Sequence, residues 1–298
     1  MKDIAKIFAY LAAVILLGAL LAPPLYWGGQ WLAAHHILPV LAEFKFQKFF
    51  NRAAMIAALL LLWPTIRALN IRGWKDLGLE PDPHRVRHFL GGFLIAGLTV
   101  AIMAMAYVHF GLYRMRPGIE WSKIPMIALS AITVACLEEA LFRGGILGLV
   151  RRTLHPYAAL FWVTSLFAIV HFMKPDDDFD IPQVDWLSGF VLIPHTFHQF
   201  VEPMSLLAGF STLFVLGWLL GEATLRTRAL WASIGLHAGV VFVKMSFSVM
   251  SKRRDNILPW TGKQFEIGLV PVGALILAWV IVVLWLSHEN RKRATAGR

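Results

Sequence analysis

The sequence predicts an all-α protein, a polytopic transmembrane helical bundle of about eight spans. Hydrophobic residues make up 58% of the chain and charged residues only 15%. The mean hydropathy is +0.63, well above that of a soluble domain. The loops are short, and the one cysteine, Cys136, rules out an intrachain disulfide. We therefore expect an integral, multi-pass protein of a bacterial cytoplasmic membrane.

The predicted spans are apolar runs that each approach the length of about 20 residues needed to cross a bilayer. They cover residues 7–28, 49–69, 88–112, 124–150, 154–173, 203–222, 229–249 and 266–287. Pro23 and Pro24 are expected to bend or end the first helix. We divide the chain into an N-terminal helical part with a basic loop, a helical core, and a last helix with a basic tail. These parts are residues 1–119, 120–248 and 249–298.

The chain carries a formal net charge of +10. Its Lys and Arg residues lie almost entirely in short loops and tails beside the spans, where membrane topology and anionic lipid head groups favour them. No basic run alternates with aromatic residues in a polar domain, so we expect no nucleic-acid partner. The partner expected from this composition is the membrane lipid bilayer.

Three charged side chains interrupt the fourth predicted span. Glu138, Glu139 and Arg143 are the only charged residues between positions 124 and 150. A charged group in a hydrocarbon environment is unfavourable by several kcal/mol unless it is paired or faces a polar cavity. These residues therefore mark a candidate functional site inside the membrane.

Helical geometry separates the roles of the two glutamates. Glu139 and Arg143 are four residues apart, so their side chains share one face and can pair. Glu138 points about 100° away from Glu139 and has no cation one turn further along. A partly desolvated carboxylate of this kind suits a general base that works near neutral pH. The alternative is that all three charges form a structural network between helices.

Two histidines add imidazoles at membrane depth, His171 in the fifth predicted span and His237 in the seventh. Together with Glu138 they form a minimum set for activating water, in which the carboxylate takes a proton, one histidine positions it and the other stabilises an oxyanion. No cofactor is expected for this chemistry. The same trio, Glu138, His171 and His237, also has the composition of a zinc site with one open position. The acidic loop of residues 174–200 is expected to be a solvated surface, with a cation site as the alternative.

The order of these residues resembles a known family. Its four motifs read here Glu138-Glu139-x-x-x-Arg143, Phe167-x-x-x-His171, Phe214-x-x-Gly217 and His237. This series is similar to that of the CPBP intramembrane proteases, the group that contains the type II CAAX prenyl endopeptidases and the bacterial Abi proteins. The resemblance covers residues 120–248 and leaves out the first three spans.

The resemblance implies an intramembrane endopeptidase that hydrolyses peptide bonds of membrane-associated proteins. It implies that Glu138 is the base for the hydrolytic water and that His171 assists it. His237 would stabilise the oxyanion, while Glu139 and Arg143 would hold the geometry of the site. Eukaryotic members trim prenylated carboxy-terminal tripeptides, whereas bacterial members need not act on prenyl groups. Parts of the family have been described as metalloproteases, which keeps zinc as the alternative cofactor.

One position departs from the family pattern. The last motif usually reads histidine, three residues, then asparagine, and the fourth residue after His237 is Val241. An oxyanion hole that lacks one donor loses on the order of 10² in rate. Ser233 and Lys244, on roughly the same face as His237, are candidate replacements for the donor. The alternative function is a non-catalytic membrane binding or immunity protein that uses the same polar cavity.

Overall fold

The computed structural model describes residues 2–77, 79–173, 175–176, 179, 181–255, 257–262 and 264–296. Most of these residues are helical, which confirms the predicted fold class. The α-helices are α1 (Lys2–Ala34), α2 (Phe46–Ala68), α3 (Arg85–His109), α4 (Ile124–Glu139), α5 (Leu147–Val150), α6 (Pro156–Phe172), α7 (Ser188–His195), α8 (Pro203–Thr227), α9 (Trp231–Met250) and α10 (Leu269–Ala296). Short 3₁₀ helices cover Pro39–Glu43, Trp74–Leu77, Trp121–Lys123 and His198–Val201.

Among the described residues, 7 helical segments are long and apolar enough to cross a membrane. They are Phe8–Ala34, Phe46–Ala68, Arg85–His109, Trp121–Val150, Pro203–Thr227, Trp231–Met250 and Leu269–Glu289. The remaining predicted span corresponds to α6, a shorter apolar helix of 17 residues. The protein is therefore an integral, multi-pass helical membrane protein.

The first helix differs from the expectation drawn from its prolines. α1 continues through Pro23 and Pro24 and ends only at Ala34, so the prediction that these residues could end the helix was wrong. Proline is tolerated inside a transmembrane helix where local adjustment or neighbouring groups satisfy the carbonyl that loses its partner.

The chain divides into two compact units, and the first consists of Met1–Arg72 and Ile169–Pro203. Within this unit α1 packs against α2 and α7. Gly18 of α1 lies against the backbone of Ala54, and Gly189 of α7 lies against the backbone of Ala19, so both helix pairs approach closely through glycine.

The acidic loop belongs to the first unit. Asp185 Oδ1 accepts hydrogen bonds from the Leu187 backbone N–H and the Ser188 hydroxyl, each 2.9 Å away, at the start of α7. The hydrogen bond from Ser188, followed by that from Leu187, lowers the pKa of the Asp185 carboxyl. The predicted cation site also involves Asp177, Asp178 and Asp180, which lie outside the described residues.

The second unit consists of Gly73–Ala168 and Met204–Arg298. Its central helix α9 packs against α3 and α4, and α10 packs against α3. Gly235 and Gly239 of α9 lie directly against the backbone carbonyls of Phe89 and Phe93 in α3, where a larger residue would collide. This close approach fixes the face of α9 that is turned toward α4.

Two short segments complete the second unit. Strands β1 (Tyr113–Met115) and β2 (Ser251–Arg253) pair antiparallel, with Arg114 opposite Lys252, and join the ends of α3 and α9. The helix that starts as α4 changes to a π-helix over Ala140–Ile146 before α5. π-helical segments within α-helices frequently occur at functional sites, and this one begins directly after Glu139.

Candidate active site

Glu139 lies at the centre of a buried polar cluster in the second unit. Its Oε1 accepts hydrogen bonds from Arg143 Nη1 and His237 Nδ1, both 2.9 Å away. Glu139, Arg143 and His237 are 0%, 2% and 3% exposed, respectively. Buried charges are tolerated when they are paired and hydrogen-bonded, and this cluster meets both conditions. The predicted pairing of Glu139 with Arg143 is confirmed.

Arg143 is also held by groups from two other helices. Its Nη2 donates a hydrogen bond to the backbone carbonyl of Gly217 in α8, at 3.1 Å. Its guanidinium lies 4.3 Å from the ring centroid of Phe167 in α6, a cation–π contact. The Phe167 ring also meets the His237 ring edge to face, with centroids 6.2 Å apart. Phe167 therefore contacts both Arg143 and His237, and the Gly217 carbonyl holds Arg143.

Gly217 is packed so tightly that its lack of a side chain matters. A Cβ at this position would lie 3.0 Å from Thr164 Cγ2, 3.2 Å from Phe167 Cδ1 and 3.4 Å from Arg143 Nη2. One turn later, Gly221 lies against the side chain of Leu160 in α6. The small-residue face of α8 thus lets this helix approach α6 and bring the Gly217 carbonyl to Arg143.

Glu138 differs from its neighbour in exposure. The side chain of Glu138 is 29% exposed, and its Oε2 lies 3.8 Å from His237 Nε2. Because Glu139 holds His237 through Nδ1, the opposite ring nitrogen is the one that faces Glu138. The structure therefore brings Glu138, Glu139, Arg143 and His237 together, with Glu138 as the more accessible carboxylate.

His171 lies in the last turn of α6, four residues after Phe167. It belongs to the first compact unit, whereas the other four predicted site residues belong to the second. Its predicted role, which is to assist Glu138 with the hydrolytic water, stays a prediction.

The zinc alternative needs Glu138, His171 and His237 as ligands. Among the residues that the structure describes, no three His, Cys, Asp or Glu side chains are grouped as a metal site. In the second unit, Glu138 Oε2 and His237 Nε2 face one another and supply two donors, while His237 Nδ1 is bound to Glu139. Zinc therefore stays a prediction, and the described geometry of the second unit does not by itself complete its ligand set.

Both predicted replacements for the absent asparagine have other partners. The hydroxyl of Ser233 is buried, donates to the Leu230 carbonyl at 2.9 Å and accepts from Thr224 Oγ1 at 3.0 Å. Lys244 Nζ forms a salt bridge with Glu266 Oε1. The Ser233 hydroxyl also contacts the Glu139 carboxylate, so it belongs to the cluster, whereas Lys244 is held by Glu266.

Among the buried carboxylates that the sequence analysis did not single out is Glu222 of α8. Its Oε1 accepts hydrogen bonds from Arg226 Nε and Nη2, at 2.9 and 2.6 Å. Its Oε2 accepts the indole N–H groups of Trp279, at 2.7 Å, and Trp218, at 3.3 Å. The spacing of Glu222 and Arg226 was a readable signal of a pair, whereas the bond to Trp279 of α10 is visible only in the structure. With both oxygens bonded, Glu222 joins α8 to α10 and is not a candidate for chemistry.

Part of the chain, including the cluster, matches a known protein family. Residues 120–243 match the family model described as Type II CAAX prenyl endopeptidase Rce1-like. The matched segment contains all of the predicted site residues, Glu138, Glu139, Arg143, His171 and His237. None of the curated proteins compared with the chain matches it. The family match supports the resemblance to the CPBP proteases and, in general terms, an intramembrane endopeptidase of the CAAX type.

Proposed function

Since residues 120–243 carry an Rce1-like domain of the CPBP intramembrane protease family, we propose that the protein hydrolyses peptide bonds of membrane-associated proteins with a water activated by Glu138. The observation that carries this proposal is the bridge made by Glu139. This carboxylate holds His237 through Nδ1 and leaves Nε2 3.8 Å from Glu138 Oε2. A carboxylate and an imidazole that face each other beside a buried supporting ion pair suit acid–base chemistry.

Glu138 suits the role of the base because its side chain is partly exposed, while that of Glu139 is fully enclosed. The Glu138 oxygen that faces His237, Oε2, is itself buried. A water molecule about 2.8 Å from the Glu138 carboxylate is within hydrogen-bond reach for proton transfer. Glu138 takes a proton from this water as the water oxygen attacks the scissile carbonyl carbon. The protonated Glu138 then gives the proton to the leaving amine, which restores the carboxylate.

His237 suits the role of oxyanion stabiliser. The Glu139 carboxylate is hydrogen-bonded to Nδ1, which orients the ring and turns Nε2 toward Glu138. When Nε2 carries a proton, this N–H donates a hydrogen bond to the carbonyl oxygen as that oxygen gains negative charge. Arg143 keeps Glu139 in place. His171, which is one helical turn from Phe167 on α6, is proposed to help position the water.

A second function, a non-catalytic membrane binding or immunity protein, is favoured by Val241. The Val241 side chain offers no hydrogen-bond donor, and the alternative donors Ser233 and Lys244 already hold other groups. In such a protein the cluster around Glu139 would maintain the shape of a polar cavity that binds a peptide or a lipid.

The test compares protein termini, by mass spectrometry, in membranes that contain the unsubstituted protein or Glu138→Gln at equal levels. Glu120→Gln is the matched control because it makes the same chemical change at an exposed carboxylate, paired with Lys123. We expect new termini with the unsubstituted protein and with Glu120→Gln, and none with Glu138→Gln. Identical sets of termini from folded proteins, with the native partner proteins present, would favour the binding function.

A further inference from the structure

Lys244 lies on the face of α9 that carries His237 and Val241. The three residues follow one another at i, i+4 and i+7, a spacing that places them along one side of a helix. His237 is 3% exposed, whereas the side chain of Lys244 is 42% exposed. This face of α9 therefore runs from the buried cluster toward an accessible surface. A lysine exposed within a membrane-spanning helix must reach water or a polar partner.

Lys244 already holds a carboxylate. Its Nζ pairs with Oε1 of Glu266, a residue in the connection between β2 and α10. The Glu266 side chain is 25% exposed, so the pair is accessible from outside. Because both side chains are partly exposed, a second carboxylate can approach Lys244 Nζ and exchange with Glu266.

The position of Lys244 matches the length of a short peptide. The seven residues from His237 to Lys244 rise about 10.5 Å along the axis of α9. Three residues of extended peptide span about 10 Å. In a C-terminal CAAX sequence, three residues follow the modified cysteine. A peptide whose scissile carbonyl lies at His237, and which ends three residues later, would bring its terminal carboxylate to the level of Lys244.

We propose that Lys244 recognises the free C-terminal carboxylate of the substrate, and that Glu266 occupies this position until the substrate displaces it. The inference rests on the proposed function, because it places the scissile carbonyl at His237. It makes Lys244 a specificity-determining residue and Glu266 an internal competitor. Removal of the Lys244 charge therefore weakens binding of a free carboxylate, whereas removal of the Glu266 charge strengthens it.

The probes are two peptides of one sequence, each with a farnesylated cysteine followed by three residues, one ending in a free acid and the other in an amide. Binding is measured on the full-length protein in detergent with Glu138→Gln, so that hydrolysis does not interfere. We expect this protein to bind the acid about tenfold more tightly than the amide. Lys244→Met added to it should abolish the preference, whereas Glu266→Gln should increase it. Lys252→Met, which removes an exposed cation at the same end of α9, should leave it unchanged.

Lys244→Met and Glu266→Gln are expected to change acid binding in opposite directions, and this difference separates recognition from a structural effect. Both substitutions break the same ion pair, so a purely structural role would make both weaken acid binding, and that result overturns the proposal. Equal binding of acid and amide before either substitution, or no binding of either peptide, also overturns it.

Hydrolysis of the same peptides by the protein with Glu138 intact distinguishes this proposal from the proposed function. Cleavage of acid and amide at equal rates would keep the protease and reject the role of Lys244. A preference in binding that follows Lys244 and Glu266, with neither peptide cleaved, would keep the carboxylate site and reject the protease.

Discussion

Glu139 Oε1 lies 2.9 Å from Nδ1 of His237, although the two residues are 98 positions apart in the chain. The same oxygen accepts a hydrogen bond from Arg143 at 2.9 Å. One carboxylate thus neutralises a buried guanidinium and orients an imidazole. Loss of Glu139 is therefore expected to affect both the stability of the fold and the geometry of the site.

Glu139→Gln is expected to lower the free energy of unfolding by about 3–5 kcal/mol, because it removes the hydrogen-bonded counter-charge of the buried Arg143. Denaturant unfolding of the purified protein in detergent measures the change. Glu80→Gln is the control, since Glu80 and Arg228 form an exposed pair whose loss should change stability by less than about 1 kcal/mol. Similar small effects for both variants would contradict the proposed importance of the buried pair.

His237→Asn is expected to lower the rate of hydrolysis by about 10²–10³, because the Nε2–H donor is lost from the oxyanion. The measurement is kcat on a substrate identified from the comparison of termini. His109→Asn, an exposed histidine at the end of α3, is the matched control and should retain the rate. A normal rate with His237→Asn would exclude His237 as the oxyanion donor.

Gly217→Ala is expected to lower stability by about 1–3 kcal/mol through overpacking, because the new methyl would meet Thr164, Phe167 and Arg143. Gly273→Ala provides the control, since nothing lies within 4 Å of a Cβ at that position. Alanine is the better helix former, so Gly273→Ala should be neutral or slightly stabilising. Thermal unfolding of both variants checks the contrast, and equal stability would mean that α8 can shift away from α6 without loss.

Val241→Asn is expected to raise the rate of hydrolysis, by up to about 10², because it restores an amide donor one turn after His237. Val241→Leu keeps the position apolar and should give no increase. The comparison uses the rates of the three proteins on one substrate. An unchanged rate with Val241→Asn would show that this position does not contribute a donor in this protein.

Removal of metal ions tests the zinc alternative. With a glutamate-activated water, dialysis against a strong chelator should leave hydrolysis unchanged. Loss of activity on chelation, followed by recovery with zinc alone, would instead favour Glu138, His171 and His237 as ligands. Binding of the amide and acid peptides, measured in parallel, controls for damage to the fold.

Local patterns in the sequence determined the class of the protein and the main candidates in the second unit. The length and apolar composition of the runs predict membrane spans, because they report directly on transfer into a bilayer. The pairing of Glu139 with Arg143 also follows from the sequence, since their separation of four residues depends only on the geometry of one helix. The same geometry separates Glu138 from this pair by about 100°, whereas its greater exposure is known only from the structure.

Only the tertiary structure showed how residues far apart in the chain meet. The sequence contains no sign that Glu139, and not Glu138, binds His237 Nδ1, or that Phe167 and Gly217 both support Arg143. The salt bridge from Lys244 to Glu266 was equally hidden. These contacts depend on how closely the helices pack and on how each helix is rotated about its axis. Glycines such as Gly217 allow the close packing, but the sequence of one helix does not specify which residues of another helix it will meet.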